Sequence, residues 1–292
     1  MRRAALLGIL MAVGAIGMRA QQAPAGGQAD QPKVATIEKL ADTLFVIKGG
    51  GGNTAAFVTS QGVVIVDTKL ANWGPAIMQQ LRSVTDKPVT TIINTHTHAD
   101  HTGSNEFFPA SVEVVAQENT KTNMEKMDIF KGDKAQFLPD KTYRDKLTLF
   151  SGADQIDLYY FGAGHTNGDS VVVFKGLRVA HIGDLFPRKG TPLIDVNNGG
   201  SGVAYPATVK KAAGVTNVDR VITGHSDVLP WSAVAEYAEF NQAFLDATTQ
   251  SINAKKTAEE AIATFTMPDK FKDYNLGGVK DNVTKIYAEL KK

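Results

Sequence analysis

Three histidines and one aspartate lie within six consecutive residues, directly after the apolar run Val89 to Ile93. They are His96, His98, Asp100 and His101, in the order His-x-His-x-Asp-His. Neutral imidazole is the commonest protein ligand for a borderline metal ion such as zinc, and carboxylate oxygen is a second one. This spacing predicts a metal site and disfavours the alternative, a solvated polar loop.

Three further ligand candidates follow apolar runs and lie in glycine-flanked turns. They are His165 in Gly-His-Thr-Asn-Gly-Asp, Asp184 after Gly183, and His225 after Gly224. The chain has six histidines and no cysteine, so every protein ligand must be His, Asp or Glu. Turns that follow strands are where rigid scaffolds commonly place binding residues. We therefore expect these side chains to join the first cluster at one edge of a sheet.

The elements that would position these residues can be predicted from the pattern of apolar residues. Strands are indicated where β-branched runs are bounded by turn residues: Leu44 to Ile47, Ala55 to Val58, Val63 to Val66, Val89 to Ile93, Val112 to Val115, Ile156 to Phe161, Ser170 to Phe174, Leu177 to Ile182 and Val218 to Ile222. Helices are indicated by helical spacing: Asn72 to Ser83, Gln117 to Phe130, Ala204 to Ala213, Ser232 to Ser251, Ala258 to Thr264 and Asp281 to Leu290. Strands grouped with interspersed helices predict an α/β domain of packed layers. No repeat is evident, so one domain is expected over residues 32–292.

The first 20 residues have the order of a secretory signal peptide. Two arginines precede the apolar stretch Ala4 to Met18, and the small residue Ala20 follows it. We expect cleavage after Ala20 and a periplasmic or secreted protein. The apolar stretch is shorter than the roughly 20 residues that cross a bilayer, so no integral membrane anchor is expected after cleavage. Residues 21–31, rich in Gln, Ala and Gly, are expected to form a disordered linker.

The charge balance argues against a polyanionic partner. Without the leader, 28 Lys and Arg face 30 Asp and Glu, so the mature chain offers no basic surface for nucleic acid. The absence of cysteine excludes disulfides, and stability must come from the core. We expect a small-molecule substrate, and the sequence indicates no oligomeric state.

The complete set of motifs resembles the metallo-β-lactamase superfamily, from Leu44 to about Leu229. The family order is His-x-His-x-Asp-His, then His, Asp and His, and the chain matches all of it. The resemblance implies a four-layer αβ/βα sandwich with two sheets inside and helices outside. It also implies a ligand set: His96, His98 and His165 for one metal, Asp100, His101 and His225 for the second, and Asp184 bridging both.

The resemblance further implies a zinc-dependent hydrolase with two Zn²⁺ ions, for which iron or manganese are alternatives. Two cations about 4 Å apart share a hydroxide that is available near neutral pH and attacks a carbonyl. The cations stabilise the resulting oxyanion, and Asp100 or a water on the second metal protonates the leaving group. No covalent enzyme intermediate is required.

Two positions distinguish branches of the superfamily. His98 lies where flavodiiron reductases carry Glu, which favours hydrolysis over oxygen reduction. Asp184 lies where zinc β-lactamases typically carry Cys or Ser, and where glyoxalase II thioesterases, lactonases and phosphodiesterases typically carry Asp. Export favours a β-lactam amide or a lactone ester as substrate. The alternatives are a thioester hydrolase of glyoxalase II type and a persulfide dioxygenase-like oxidoreductase with one iron.

Four other residues are candidates for supporting the site or contacting the substrate. Asp67 resembles the family's carboxylate that orients metal ligands, and a turn acid that ends a strand is the alternative. Arg188 and Lys189 follow Asp184 by four and five residues and could meet a substrate carboxylate, or remain solvated. Tyr205 lies beside a glycine-rich stretch whose role is open.

Three segments could shape the pocket. Gly49 to Gly52 could form a tight turn or let the backbone approach a ligand. Lys131 to Arg144 is irregular enough to be a lid or a surface connection. Gly199 to Gly202 is equally open. The sixth histidine, His181, is expected to be a core residue, because side chains alternate along its strand.

Overall fold

The structure, a computed structural model, describes residues 33–291. The predicted signal peptide (residues 1–20) and linker (residues 21–31) lie outside the described residues. Thirteen strands and seven α-helices follow one another along this part of the chain, together with short 3₁₀ turns.

The first sheet contains seven strands in sequential order. They are β1 (Thr36–Lys39), β2 (Leu44–Lys48), β3 (Thr54–Val58), β4 (Val63–Val66), β5 (Val89–Ile93), β6 (Glu113–Gln117) and β7 (Lys141–Tyr143). Strands β1 to β4 pair antiparallel, and β4 to β7 pair parallel. The parallel strands are rich in Val and Ile, which suits strands buried on both faces.

The second sheet contains six strands in the order β13-β12-β11-β10-β9-β8. They are β8 (Lys146–Leu149), β9 (Ile156–Tyr160), β10 (Ser170–Phe174), β11 (Val179–His181), β12 (Arg220–Ile222) and β13 (Leu229–Pro230). Only β11 and β12 pair parallel among these strands. Their carboxyl ends therefore lie at the same edge.

The α-helices cover the outer faces of the sheets or connect strands. They are α1 (Gly74–Arg82), α2 (Ala99–Thr102), α3 (Glu118–Met124), α4 (Tyr205–Ala213), α5 (Ser232–Asn253), α6 (Ala258–Ala263) and α7 (Val279–Leu290). Proline in the first turn begins α1 and α4, and a capping box between Thr257 and Glu260 begins α6. Among the described residues, no helix combines the length and apolar character needed to span a bilayer.

Three apolar clusters separate the layers. The central one lies between the two sheets and includes Phe57 and Phe174, whose ring centroids are 5.2 Å apart. The second packs α1 on the outer face of the first sheet, through residues such as Ile77. The third packs α4 and α5 on the outer face of the second sheet, through residues such as Val209 and Tyr237. The predicted four-layer αβ/βα sandwich is therefore confirmed.

Candidate metal centre

The first histidine cluster is placed by strand β5 and the short helix α2. His96 follows the end of β5 by three residues, and His98 has an extended backbone (φ −62°, ψ 145°) directly before α2. His101 lies within α2, so the helical turn brings it back toward His96. His96 and His101 are buried. Their ring centroids are 4.2 Å apart.

The other three predicted ligands lie in turns of the second sheet. His165 lies between β9 and β10, Asp184 follows β11, and His225 follows β12. Because β11 and β12 are parallel neighbours, their following turns meet. Nε2 of His225 lies 3.1 Å from Oδ1 of Asp184. The topology of the sheet therefore accounts for this pair.

The seven side chains form two adjacent groups. One contains His96, His98, His165 and Asp184, and the other contains Asp100, His101 and His225. Within each group, every residue offers one ligand atom, and these ligand atoms all lie within 4.8 Å of one another. The Asp184 carboxylate also lies 3.3 Å from Nε2 of His101, in the second group. The structure thus brings all seven predicted residues together, with Asp184 between the two groups.

Hydrogen bonds on the outer nitrogens fix how two of the imidazoles face the centre. The Thr95 hydroxyl donates to Asp67 over 2.7 Å, so it accepts from Nδ1 of His96, 3.0 Å away. Nδ1 of His165 donates to the Leu193 carbonyl over 2.7 Å. In their neutral forms, both rings therefore direct an Nε2 lone pair inward.

The inward-facing atoms fit a cation. Nε2 of His96 and Oδ1 of Asp184 are buried and make no hydrogen bond with any residue from 33 to 291. Nδ1 of His98 and Nε2 of His165 lie 2.9 Å apart. Buried polar atoms without partners are costly, and lone pairs that face one another repel. A divalent cation coordinated by these atoms removes both penalties, so the residues present fit a metal.

At three of the candidate ligands, burial and charge favour the protonation states that metal binding requires. Burial, together with the nearby imidazoles of His101 and His165, holds the pKa of His96 well below its usual value. Burial lowers the pKa of His165 to about 4. Burial alone would raise the pKa of Asp184, but His101 and His225 hold it well below its usual value. Neutral imidazole and ionised carboxylate are the ligand forms.

Comparison with known proteins identifies the family. The sequence model described as the Metallo-beta-lactamase superfamily matches residues 47–225. The chain belongs to this superfamily.

Two curated proteins are similar to this chain. The 2,4-dinitroanisole O-demethylase subunit alpha of Nocardioides sp. is 28% identical over 168 residues, which are 55% of this chain and 49% of that protein. This chain therefore spans about half the length of that relative. The metallo-beta-lactamase type 2 of Elizabethkingia meningoseptica is 29% identical over 241 residues, 75% of this chain and 87% of that protein.

Solved structures share the fold at low identity. The inverting sec-alkylsulfatase Pisa1 from Pseudomonas sp. superposes with a TM-score of 0.75 at 13% identity, over 88% of this chain and 50% of its own. A metallo-beta-lactamase from Pontibacter korlensis superposes with a TM-score of 0.62 at 19% identity, over 71% of this chain and 99% of its own.

In this member of the superfamily, the turn at Gly49 to Gly52 forms a wall of the metal centre. A β-carbon added at Gly52 would lie 2.2 Å from the His101 ring, and one at Gly51 would lie 2.6 Å from the Asp100 carbonyl oxygen. The amide of Gly52 donates to that same carbonyl over 2.9 Å. Close approach to the metal ligands therefore explains these two glycines.

A buried lysine holds this turn in place. Nζ of Lys69 donates to the carbonyls of Ile47 and Gly52, each over 2.8 Å, and so joins the two ends of the turn. Burial lowers the pKa of Lys69 to about 7, against the attraction of Asp67. A buried amine is costly, and its two carbonyl partners reduce that cost.

Asn53 connects the glycine turn to the His225 turn. Its side-chain amide donates to the carbonyls of Thr223 and Ser226, over 3.0 and 2.7 Å. The Asn53 carbonyl accepts from Nε2 of His181 over 3.0 Å. His181 is fully buried, and its Nδ1 accepts from the amide of Gly183. This histidine supports the backbone around the centre and belongs to neither ligand group.

Two of the other predicted site residues contact the ligands or their turns. Asp67 accepts from Nδ1 of His101 over 2.6 Å. Burial alone would lower the pKa of His101, but Asp184 and Asp67 raise it well above its usual value. The buried hydroxyl of Tyr205 lies 3.0 Å from the carbonyl oxygen of Asp184 and donates to it. Tyr205 therefore supports the Asp184 turn from behind and does not face a substrate.

Arg188 and Lys189 point to different surroundings. Arg188 is exposed and lines a cavity of about 220 Å³ together with Thr191 and Leu193. Among the described residues it makes no ion pair. Lys189 instead pairs with Glu236 over 3.1 Å, on helix α5. Of these two residues, Arg188 is therefore the one without an ion-pair partner among residues 33–291.

The two other glycine-rich or irregular segments are anchored. Gly200 lies against His165, because an added β-carbon would lie 2.3 Å from the His165 carbonyl oxygen. The Lys131 to Arg144 segment contains a 3₁₀ turn (Gly132–Phe137) and strand β7. Lys134 in this turn pairs with Glu106 over 2.6 Å.

The sequence interpretation did not identify Asp195. Its Oδ2 accepts from Nε2 of His98 over 2.7 Å. Burial alone would raise the pKa of Asp195, but hydrogen bonds from His98 and Asn198 lower it. The stretch Asp-Val-Asn-Asn-Gly signals a turn in which the Asp side chain binds following amides. That signal does not reveal a histidine 97 residues away.

Proposed function

We propose that this protein is an exported, dinuclear zinc hydrolase that cleaves the carbonyl of a β-lactam amide or of a lactone ester. The observation that carries this proposal is the convergence of seven His and Asp side chains, in which two buried inward atoms, Nε2 of His96 and Oδ1 of Asp184, make no hydrogen bond with residues 33–291. Membership of the Metallo-beta-lactamase superfamily, most of whose members are hydrolases, supports it.

The bound ions would lower the pKa of water toward about 7 and polarise the substrate carbonyl. The protein's own contribution is orientation and proton transfer. The side chain of Asp100 is 30% exposed, against 11% for Asp184, so it is the carboxylate more open to a substrate. Its Oδ2 lies 3.3 Å from Nε2 of His225, which holds it in place. We assign to Asp100 the transfer to the leaving group of the proton that the attacking water loses.

We assign to Arg188 the binding of an anionic group on the substrate. It lines the cavity next to Leu193, whose carbonyl holds His165. A guanidinium can bind a carboxylate through two parallel hydrogen bonds. The near-neutral charge of the mature chain favours a small molecule over nucleic acid.

The named relatives guide the choice of substrates to test. One is a metallo-beta-lactamase, one an O-demethylase of an aryl methyl ether, and one a sec-alkylsulfatase. A panel should therefore contain nitrocefin, an acyl-homoserine lactone, a glutathione thioester, a phosphodiester, 2,4-dinitroanisole and a secondary alkyl sulfate.

The deciding experiment combines this panel with metal analysis of the purified protein. We expect two zinc ions per chain and turnover of nitrocefin or the lactone, abolished by a chelator and restored by zinc. Asp100→Asn should lose this turnover. Turnover of the thioester alone would assign the glyoxalase II type. One iron per chain with oxygen consumption would assign a persulfide dioxygenase-like enzyme.

Export is tested separately, in a Gram-negative host that produces the full chain. We expect the protein in the periplasmic or secreted fraction, with an N-terminal sequence that begins at Gln21. Full-length protein that stays in the cytoplasm would refute export and leave the catalytic proposal intact.

A further inference from the structure

The segment Leu193 to Asn198 contacts two histidines of the first metal group. The Leu193 carbonyl accepts from Nδ1 of His165 over 2.7 Å, and the Asp195 amide donates to the His165 carbonyl over 2.8 Å. Two residues after Leu193, the carboxylate of Asp195 reaches Nε2 of His98 at 2.7 Å. One short segment therefore holds both imidazoles from their outer sides.

The contact with His98 determines which nitrogen of the ring faces the centre. A carboxylate accepts hydrogen bonds and cannot donate them, so the Nε2 atom of His98 carries the hydrogen. Nδ1 is then the nitrogen with a free lone pair. It faces Nε2 of His165 at 2.9 Å. Without Asp195, nothing in this contact would disfavour the other tautomer, whose Nδ1 hydrogen blocks metal binding.

Asp195 is itself rigidly held. Its Oδ1 accepts from the backbone amides of Asn197 and Asn198, over 3.0 and 3.3 Å. Its Oδ2 also accepts from the Asn198 side-chain amide over 2.6 Å. The Asp195 carbonyl accepts from the Gly200 amide over 2.7 Å. A carboxylate restrained in this way presents a fixed acceptor to His98 and loses little entropy when it binds the ring.

The two metal groups are thereby supported in matching ways. Asp67 holds His101 in the second group, and its side chain is fully buried. Asp195 holds His98 in the first group, and its side chain is 15% exposed. Each group thus has one carboxylate behind one imidazole. We infer that Asp195 is a positioning residue for the first metal, fixing the tautomer and orientation of His98 as Asp67 does for His101.

The inference rests on the metal site of the proposed function and is independent of its substrate, so it can be tested by metal binding alone. We would titrate the metal-free full chain with zinc by calorimetry against a competing chelator. Asp195→Ala should weaken one of the two zinc-binding steps by about 10- to 100-fold and leave the other unchanged. Asp195→Asn, whose amide oxygen can still accept from His98, should lose less affinity than Asp195→Ala.

A spectroscopic measurement separates positioning from a general structural effect. Long-range ¹H–¹⁵N spectra of the zinc-free imidazoles should show His98 as the Nε2–H tautomer in the wild type and as a mixture in Asp195→Ala. The control is Val196→Ala, a substitution at an exposed neighbour in the same segment, which should keep both the tautomer and the affinity.

The outcomes separate the inference from the proposed function. Unchanged zinc affinity and an unchanged His98 tautomer in Asp195→Ala would overturn the inference. Equal weakening of both zinc steps, or an equal effect of Val196→Ala, would also overturn it, because the segment would then act only as structure. A wild-type protein that binds no zinc would instead refute the proposed function. If Asp195→Ala does not fold, the same comparison is made with Asp195→Asn.

Discussion

At the scale of single residues, the metal centre depends on the close contact between Gly52 and the ring of His101. Gly52→Ala should reduce turnover about 100-fold, because a displacement of roughly 1 Å in a catalytic group has an effect of this size. The added β-carbon would lie 2.2 Å from the imidazole, so the ring or the turn must move. The measurement is kcat/KM on whichever substrate the panel identifies, together with bound zinc per chain.

A matched control is Gly214→Ala at the end of helix α4. Its β-carbon would meet only the Lys211 and Lys210 carbonyl oxygens, at 3.1 and 3.9 Å. We expect it to keep wild-type turnover and zinc content. Normal activity in Gly52→Ala would contradict the view that this glycine is required by His101.

The hydroxyl of Thr95 gives a second prediction at this scale. It bridges Asp67 and His96, and all three groups are buried. Thr95→Val keeps the shape but leaves the buried Nδ1 of His96 without a hydrogen-bond partner and removes one of the bonds to Asp67, so we expect a loss of roughly 1–3 kcal/mol in the free energy of unfolding. Urea denaturation of the zinc-free protein measures it. Thr90→Val, on strand β5 with only a 3.5 Å contact to the Val63 carbonyl oxygen, should lose less.

Residue types and spacing predicted the seven candidate ligands, because metal coordination requires particular side chains next to strand ends. The supporting residues could not be predicted in the same way. Asp195 contacts His98, and Lys69 contacts the carbonyls of Ile47 and Gly52, and these contacts depend on how distant turns meet. Such contacts leave no local pattern in the sequence. Lys189 shows the converse, since its position near Asp184 suggested a substrate contact, whereas it pairs with Glu236.

At the scale of elements, burial decided which strands could be predicted. Central strands such as β4 and β10 are buried throughout, consist almost entirely of apolar residues, and lie at the predicted residues. The edge strands β1 and β8 are only four residues long and at least half polar, so apolar periodicity does not reveal them. The helix predicted from Gln117 to Phe130 is shorter in the structure, where α3 begins at Glu118 and ends at Met124.

The turn between β2 and β3 gives a prediction about pH. Lys69 has a pKa of about 7 in the folded chain and its usual value of 10.5 when exposed. Between these values the unfolded chain binds more protons, so the free energy of unfolding rises with pH. The increase contributed by Lys69 is at most about 5 kcal/mol, since each pKa unit corresponds to about 1.4 kcal/mol. Lys69→Met should remove this contribution.

The test is urea denaturation from pH 7 to pH 10 for the wild type, for Lys69→Met and for a control, Lys210→Met. Lys210→Met, an exposed substitution on α4, should keep the wild-type dependence on pH. If the free energy of unfolding depends on pH in the same way for Lys69→Met and for the wild type, the pKa of Lys69 is not lowered by burial in the folded chain.

At the scale of the whole molecule, the metal centre lies where the two sheets meet. His96, His98, Asp100 and His101 follow β5 of the first sheet, whereas His165, Asp184 and His225 follow strands of the second. Each ligand group takes residues from both sheets. A bound metal therefore connects the two halves of the sandwich in addition to the apolar core between them. The pattern of elements predicted an α/β domain of packed layers, whereas the four-layer order came from the resemblance to the superfamily.

This arrangement predicts that metal binding stabilises the entire domain. A ligand at 100 times its dissociation constant adds about 2.7 kcal/mol to the free energy of unfolding, and for a chain of this size that corresponds to a rise in Tm of about 5 to 10 °C. Calorimetric scans with zinc and with a chelator measure the difference. Asp184→Asn should show a smaller difference, because this carboxylate lies between both groups. The control is Asp281→Asn, which replaces an exposed acid paired with Lys285 and should keep the full difference in Tm between zinc and chelator. Equal melting temperatures with zinc and with the chelator would mean that these seven side chains converge without holding a metal that connects the sheets.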